Sequence, residues 1–401
     1  MTMPINGYFW GTGYVQETRI ERIPIRDLYE FARRAQNDHH RYHVIPITTI
    51  RALAHTKNPA AAEDDIGLVV AYVNGQCAGY LGILPCRLSV GNKHTKVYAL
   101  STFYVDTPFR GTDVAKMIMS DAIELGYDLL LSGFTPAAEK FYRKNPQWFR
   151  PVAAVPYVLL RLDRVFVVSG IFRRLAQIRW LKPAHSLLGV LYWGSRWTID
   201  AVLRPVLFHW LRPAACKVGQ EIEARLVSAI RESEIKIDRP SKPCFCRDPD
   251  IINWMINHPW ISEDSNLKLN YAFSYRRDRF GFRLFELHKR KGGERIGCVV
   301  FSVSTQNNYT TVKTLDYRIA DRAYLPCVFA VALREALRHN AQLIGPDMFW
   351  QYVQAHWVLR RITRRLKRGN FLGPSIKSES VFDTLPEELS LDYCDGDIAF
   401  T

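Results

Sequence analysis

The sequence is poor in the features that would assign it to a secreted, metal-binding or membrane-spanning class. Its eight cysteines show neither the regular spacing of a disulfide framework nor that of a zinc site. The first residues do not combine a basic stretch with an apolar one, as a secretory signal would. No uncharged apolar run reaches the ~18–20 residues that a spanning helix needs. These absences predict reduced thiols in a cytoplasmic protein without a bound metal.

Acidic residues are also scarce relative to basic ones. The chain has 39 Asp and Glu against 54 Lys and Arg, which gives a formal net charge of +15. Such a balance favours an anionic partner, for example a membrane surface, nucleic acid, a phosphorylated cofactor or an acidic glycan. Apolar residues make up 48% of the chain, enough to build folded cores. A length of 401 residues suits two domains of ~100–200 residues each.

Hydrophobic periodicity from the start of the chain to Val165 predicts alternating strands and helices. The dipeptide Asn74-Gly75, between two β-rich runs, is typical of a tight hairpin. The predicted elements are, in chain order, a helix at 25–35, strands at 66–73, 77–84 and 97–105, a helix at 114–126, a strand at 128–132, a helix at 136–144 and a strand at 157–162. This order indicates an α/β or α+β domain with a mixed sheet.

The segment Phe103–Ala115 joins a predicted strand to a predicted helix through a turn that contains glycine. The amides in the first turn of a helix have no internal partners, and the helix dipole adds positive potential there. Such a turn can hold an anion such as a diphosphate. Gly111 would let the backbone approach that ligand closely, and Arg110 adds a positive charge.

This segment resembles the pyrophosphate-binding loop of the GNAT superfamily of N-acetyltransferases, which reads Arg/Gln-x-x-Gly-x-Gly/Ala. Arg110, Val114 and Ala115 fit that pattern, whereas Asp113 stands where the family usually has glycine. A carboxylate at that position could cap the helix or repel a diphosphate. The resemblance implies a mostly antiparallel sheet flanked by helices, and acetyl-CoA or another acyl-CoA as co-substrate. The residues that it implies for acyl-CoA binding are Phe103, Val105, Arg110, Gly111, Thr112, Asp113, Val114 and Ala115.

A second stretch, at 138–144, resembles the part of GNAT domains that follows the fifth strand. Tyr142 matches the tyrosine that in many members lies near the CoA sulfur, and Trp148-Phe149 takes the place of a Gly-Phe pair. The resemblance implies that Tyr142 is the general acid that protonates the thiolate leaving the thioester. A packing role for Tyr142 is the alternative. The resemblance covers roughly residues 20–165, with the two motifs in the right order.

The general base and the acceptor cleft are less clear in the sequence. The candidates for the base are His94, Asp106 and the cluster His39, His40 and His43. Tyr98 and Thr102 alternate along the third predicted strand, so they could line the acceptor cleft or belong to the core.

The rest of the chain is interpreted as a connector and a second domain. Residues 165–219 are basic and rich in tryptophan, which is typical of a helical connector that is either interfacial or buried between domains. Residues 220–401 repeat the order of hairpin, strand, helix and strand found in the first domain, residues 1–164, which indicates a duplication. The corresponding stretch Ile319–Pro326 has no glycine, and Pro326 has no amide hydrogen. We therefore predict that the second domain does not bind CoA.

The densest basic run is Arg360–Arg368. At helical spacing Arg360, Arg364, Lys367 and Arg368 share a face, which predicts a solvated helix or contact with an anionic lipid or polymer. Nucleic acid is disfavoured because no zinc-finger, RNP-like or helix-turn-helix signature accompanies the run.

The sequence thus predicts an acyl-CoA-dependent N-acyltransferase that acts on an amine, such as an amino sugar of a glycan precursor. It would be cytoplasmic, or peripheral at the inner face of the membrane. Three alternatives stay open: a FemAB-like transferase that uses aminoacyl-tRNA, a non-catalytic GNAT-fold scaffold or sensor, and a membrane-peripheral partner protein.

Overall fold

The computed structural model describes residues 17–90, 93–161, 222–230, 244–245 and 247–373, together with 389, 391–392 and 394–395. The connector predicted at 165–219 lies outside these residues. The described strands are β1 Thr18–Pro24, β2 Ile66–Val73, β3 Gln76–Val90, β4 Lys93–Val105, β5 Leu129–Ser132, β6 Arg150–Leu160, β7 Ile222–Val227, β8 Cys244–Phe245, β9 Arg279–Lys289, β10 Arg295–Gln306, β11 Tyr309–Ile319, β12 Gln342–Pro346 and β13 Thr363–Leu372.

The described helices lie on the two faces of the sheet that these strands form. They are α1 Leu28–Asn37, α2 Thr49–Thr56, α3 Val114–Glu124, α4 Pro136–Lys144, α5 Pro249–Asn257, α6 Leu325–His339, α7 Phe349–Gln354 and α8 Trp357–Ile362. Short 3₁₀ turns occur at Ile25–Asp27, Thr107–Phe109 and Arg322–Tyr324. This mixed, mostly antiparallel sheet with flanking helices confirms the predicted fold class.

All described strands belong to one sheet, whose order is β1-β2-β3-β4-β5-β13-β6-β12-β11-β10-β9-β7, with β8 paired to β3. The order is symmetric about its centre. In the first half of the chain, which contains β1–β6, β4 and β5 pair in parallel. In the second half, which contains β7–β13, β11 and β12 do so. The last strand of each half is exchanged. β6, from the first half, pairs with β12, while β13, from the second half, lies between β5 and β6.

Local sequence explains the hairpins of this sheet. Asn74 and Gly75 have φ angles of 50° and 79°, as the turn between β2 and β3 requires. Asn307 and Asn308 provide the same left-handed conformation between β10 and β11. Asparagine tolerates positive φ better than most residues, which is why both hairpins turn there.

The hydrophobic cores lie between the sheet and its helices. α3 and α4 pack on one face of the first half through a cluster that includes Ile118 and Tyr142, whereas α1 packs on the other face through Phe31. A further cluster joins the halves, because Ala99 of β4 and Trp254 of α5 pack with Val300 of β10. The two halves therefore share both strands and a core.

The helix predicted across Arg360–Arg368 is wrong beyond Ile362. α8 ends there, and β13 begins at Thr363. Arg368 is only 8% exposed, so it does not share a solvated face with Arg360. The physical reason is that pairing with β6 along the length of β13, and with β5 at its end, outweighs the helical propensity of arginine and lysine. The proposed domain boundaries at 164 and 220 stay predictions.

Candidate active site

The strands β4 and β5 pair over only three residues and then separate. Tyr98, Ala99 and Leu100 face Leu129, Leu130 and Leu131 in parallel register. β4 continues to Val105, yet beyond Leu100 no strand in the described part of the chain pairs with its β5-facing edge. The result is a wedge-shaped opening in the sheet.

A backbone irregularity marks the mouth of this wedge. The register between β3 and β4 shifts between Tyr80 and Gly82, and Thr102 adopts a φ of +49°. A Cβ atom at position 82 would lie 2.6 Å from Oγ1 of Thr102, so the β3 residue opposite the bulge has to be glycine. Bulges bend a strand and redirect its side chains, which is how β4 turns away from β5.

The end of β4 leads directly into the predicted anion-binding turn. Asp106 follows Val105 and caps the 3₁₀ turn, because its Oδ1 accepts a hydrogen bond from the amide of Thr107 (2.7 Å). Nε of Arg110 donates to the carbonyl oxygen of Val105 (3.1 Å), and its guanidinium carbon lies 5.7 Å from the centre of the Tyr104 ring. These contacts hold Arg110 beside the end of the wedge.

Gly111 and Thr112 shape the entry into α3. Gly111 has a φ of +87°, and a Cβ atom there would meet no other atom within 4 Å, so the turn is open on that side. Oγ1 of Thr112 donates to the carbonyl of Phe109 (2.6 Å) and accepts from the amide of Val114 (3.4 Å). The amide of Met117 is the one that closes the first helical turn, onto the carbonyl of Asp113 (2.9 Å). Of the amides before it, that of Val114 is bonded to Thr112, and those of Ala115 and Lys116 point out of the helix toward the turn.

Asp113 occupies the N-cap position of α3 but makes no side-chain cap. Its Oδ1 instead lies 2.9 Å from Nζ of Lys116, one turn along the helix. Of the two roles considered for this carboxylate, helix capping is therefore not the one it has in the structure. Because Lys116 offsets the charge of Asp113, the turn keeps the positive potential of the helix dipole.

Tyr142 lies at the centre of an aromatic cluster on the same side of the sheet. It is 4% exposed and packs against four phenylalanines. Its ring centre lies 4.9 Å from that of Phe149, 5.6 Å from those of Phe134 and Phe371, and 5.9 Å from that of Phe141. Burial raises the pKa of the Tyr142 phenol above its ordinary value of 10, so the hydroxyl is protonated at neutral pH. Phe103 of β4 reaches this cluster through Phe141, at 5.8 Å.

The candidate bases lie at different places. Oδ2 of Asp106 lies 3.5 Å from Nδ1 of His43, and Oδ1 accepts a hydrogen bond from the Tyr104 hydroxyl (3.2 Å). The structure thus brings these two candidates together beside the turn. His94 lies elsewhere, with Nε2 4.0 Å from Oδ2 of Asp248. His39 and His40 are exposed.

Tyr98 and Thr102, the two residues considered for the acceptor cleft, differ in surroundings. Tyr98 stacks on Tyr127 at 3.7 Å between ring centres, and its hydroxyl donates a hydrogen bond to Oδ1 of Asp65 (2.9 Å). These contacts make Tyr98 a core residue. Thr102 lies at the bulge, where β4 turns away from β5.

The structure adds two residues that sequence reasoning missed. Phe371 of β13, in the second half, packs against Tyr142. The sequence around Phe371 contains no pattern that predicts this contact. Nη2 of Arg51, on α2, donates to Oγ of Ser101 (2.9 Å) beside the bulge. A glycine in the middle of β3, Gly82, was the one local sign of that bulge.

The equivalent turn of the second half also begins with an aspartate cap, but it contains no glycine. Oδ1 of Asp321 accepts from the amide of Ala323 (2.8 Å), and Pro326 occupies the first turn of α6. The described residues contain no group of three or more His, Cys, Asp or Glu side chains that could hold a metal ion. None of their helices is long and apolar enough to cross a membrane.

Comparison with solved structures gives weak likenesses that extend over most of the chain. A GCN5-related N-acetyltransferase from Anabaena variabilis is 10% identical over 90% of this chain and 73% of its own, with a TM-score of 0.46. A tandem GNAT protein from the clavulanic acid biosynthesis pathway is 10% identical over 91% and 100%, with a TM-score of 0.44. The N-myristoyltransferase of Saccharomyces cerevisiae with bound myristoyl-CoA is 10% identical over 92% and 85%, with a TM-score of 0.42.

Comparison of sequences is more informative for the first half. No curated protein matches the chain. The model of the acetyltransferase (GNAT) family matches residues 25–145, a range that includes the wedge, the turn at Arg110–Ala115 and Tyr142. Over residues 25–145 the chain therefore matches the GNAT family, whose members transfer an acyl group from an acyl-CoA to an amine.

Proposed function

We propose that this chain transfers an acetyl group from acetyl-CoA to an amine at the wedge between β4 and β5. The observation that carries the proposal is the continuity of this wedge with the first turn of α3. An extended pantetheine arm would lie along Phe103–Val105, on the edge of β4 that no described strand covers. The diphosphate would bind the amides and the positive charge of Arg110–Ala115.

The reaction is a direct displacement. The nitrogen of the neutral amine forms a bond to the thioester carbonyl carbon, and the bond from that carbon to sulfur breaks. The thiolate takes a proton from the hydroxyl of Tyr142, which regains it from solvent, while the amine nitrogen loses a proton to a base or to water. No covalent enzyme intermediate forms. Asp106 with His43 is the pair beside the turn that can accept this proton, directly or through water.

The acceptor that we propose is an amino sugar of a glycan precursor, and the protein would work in the cytoplasm or at the inner face of the membrane. The net charge of +15 supports this choice, because it favours phosphorylated or otherwise anionic acceptors.

Calorimetric titration with acetyl-CoA tests co-substrate binding. We expect the native chain to bind, and Gly111→Trp to weaken binding at least tenfold because an indole would fill the turn. Gly292→Trp is the matched control, since Gly292 has nearly the same φ (+88°) and equally open surroundings on the β9–β10 hairpin. Equal affinity of both variants and the native chain would reject the proposed site.

Turnover separates an enzyme from a scaffold. Release of free CoA thiol is measured with acetyl-CoA, butyryl-CoA and myristoyl-CoA against a panel of amines that includes amino sugars and their nucleotide-linked forms. We expect turnover to be fastest with acetyl-CoA and an amino sugar. Binding of acetyl-CoA without turnover on any amine would indicate a non-catalytic sensor, and a requirement for charged tRNA would indicate an aminoacyl transferase.

A further inference from the structure

The surface at α8 and the start of β13 concentrates positive charge. Between Asp347 and Glu379 the sequence has no aspartate or glutamate, although six of the nine residues in Arg360–Arg368 are arginine or lysine. Nε of Arg365 lies 2.6 Å from Oδ1 of Asp347, so that cation is paired. Arg360, Arg361 and Lys367 are exposed and form no ion pair with any described residue.

An exposed tryptophan lies among these cations. Trp357 is 63% exposed, the largest fraction among the large hydrophobic side chains of the described chain. Arg360 and Arg361 follow it by three and four residues on α8, so all three lie on one side of the helix. Leu359 is fully buried in the core of the second half and anchors the opposite side. Leu359 thus holds one side of the helix against the core, while Trp357, Arg360 and Arg361 are exposed on the other.

The topology brings a second part of the sequence to the same edge. Leu160, at the end of β6, pairs with Thr363 at the start of β13, and the amide of Arg161 donates to the carbonyl of Ile362 (3.1 Å). The end of β6 and the start of β13 therefore lie side by side at this edge, directly after α8 in the case of β13.

We propose that Trp357, Arg360, Arg361 and Lys367 form a docking surface for an anionic lipid bilayer. Basic side chains are attracted to the negative potential of anionic headgroups, and indole rings prefer the boundary between headgroups and acyl chains. Proteins that bind single-stranded nucleic acid stack successive bases on several aromatic rings, whereas this surface presents one indole. The surface is independent of acyl transfer, and vesicle binding is measured without acyl-CoA, so it and the proposed function can fail separately.

Vesicle sedimentation with the full chain tests the surface. We expect binding to phosphatidylcholine vesicles in which about a third of the lipid is replaced by phosphatidylserine, no binding to pure phosphatidylcholine, and weaker binding in 0.5 M salt. Arg360→Gln with Arg361→Gln removes two charges and should lower the partition coefficient roughly thirtyfold. Trp357→Ala should lower it further and reduce the blue shift of tryptophan fluorescence on binding.

The control removes the same charge elsewhere. Arg290→Gln with Lys291→Gln alters two exposed cations on the β9–β10 hairpin and should leave the partition coefficient at the native value. Thermal unfolding followed by circular dichroism verifies that each variant is folded, and Trp357→Leu replaces Trp357→Ala if the latter is not. A native partition coefficient in the folded α8 variants would overturn the proposal. So would tighter binding to single-stranded RNA than to vesicles, with the same variants losing it.

Discussion

The rings of Tyr142 and Phe371 lie 5.6 Å apart, although one belongs to α4 of the first half and the other to the exchanged strand β13. Phe371 also contacts Phe134 at 5.2 Å, and the guanidinium carbon of Arg143 lies 5.6 Å from its ring centre. The residue that we propose as the general acid is therefore held in place from both halves of the chain.

Phe371→Ala should reduce both stability and activity. Phe371 is 2% exposed, and truncation of a buried phenylalanine typically costs about 3–5 kcal/mol of unfolding free energy. Urea denaturation measures this loss, with Leu226→Ala as the control at a hydrophobic residue that is 56% exposed. We also expect kcat to fall because Tyr142 loses a packing partner. A native kcat in a folded Phe371→Ala variant would show that this contact does not position the acid.

Tyr142→Phe should lower kcat by about 10²–10⁴ with little change in acetyl-CoA affinity, as for loss of a general acid. Stability should be nearly unchanged, because no described residue forms a hydrogen bond with the Tyr142 hydroxyl. Steady-state kinetics provide the test. Tyr317→Phe, at a tyrosine of β11 whose pKa burial also raises, is the matched control and should leave kcat unaltered.

The pH profile gives a second test of the same residue. Because burial raises the pKa of the Tyr142 phenol above 10, the acid form persists across the physiological range. We expect no loss of kcat from this group between pH 7 and pH 10. An alkaline fall in kcat centred below pH 10 that disappears in Tyr142→Phe would contradict this environment for Tyr142.

Asp113→Asn should tighten acetyl-CoA binding by a few fold, since it removes a negative charge beside the expected diphosphate site while keeping the shape of the side chain. The gain should shrink in 0.5 M salt, because exposed charges are screened. Lys116→Gln should act in the opposite direction, as it leaves the charge of Asp113 without its partner. Glu124→Gln, at the far end of the same helix, is the control. Tighter binding in that variant would indicate a general charge effect.

His55→Leu should weaken the pH dependence of the free energy of unfolding below about pH 6.5. His55 is fully buried against Trp260, at 5.1 Å between ring centres, and neither ring nitrogen has a hydrogen-bond partner among the described residues. Burial, together with the charge of Arg51, lowers the pKa of His55 well below 6.5. The unfolded chain thus takes up a proton that the folded chain excludes, so the free energy of unfolding falls as pH drops below about 6.5.

Urea denaturation at pH 5 and pH 7.5 measures this change in the slope. The exposed His40 provides the control, and His40→Leu should keep the native slope. An unchanged slope in His55→Leu would mean that His55 exchanges protons freely in the folded state.

Local sequence was sufficient for the elements that local forces specify. The strand at 66–73 and the helix at 136–144 were predicted with the observed bounds, and the turn at Arg110–Ala115 lies between strand and helix as its glycine indicated. β13 was not predicted, because its strand conformation depends on β5 and β6, which belong to the other half of the chain. The position of Phe371 beside Tyr142 could not be predicted either, because it depends on the same pairing. The general base could not be chosen from sequence, since the approach of His43 to Asp106 depends on how α1 and β4 are arranged in space.

The exchange of β6 and β13 also constrains how the chain is made. During synthesis the first half emerges with β5 lacking its neighbour, because β13 is the last strand to be translated among those that the structure describes. About 230 further residues must be translated before β13 can pair with β5. Until then the unpaired edge of β5 is open to pairing with other chains. We therefore expect the nascent first half to need protection from aggregation, and the proposed acyl-CoA site to form only after β13 has left the ribosome.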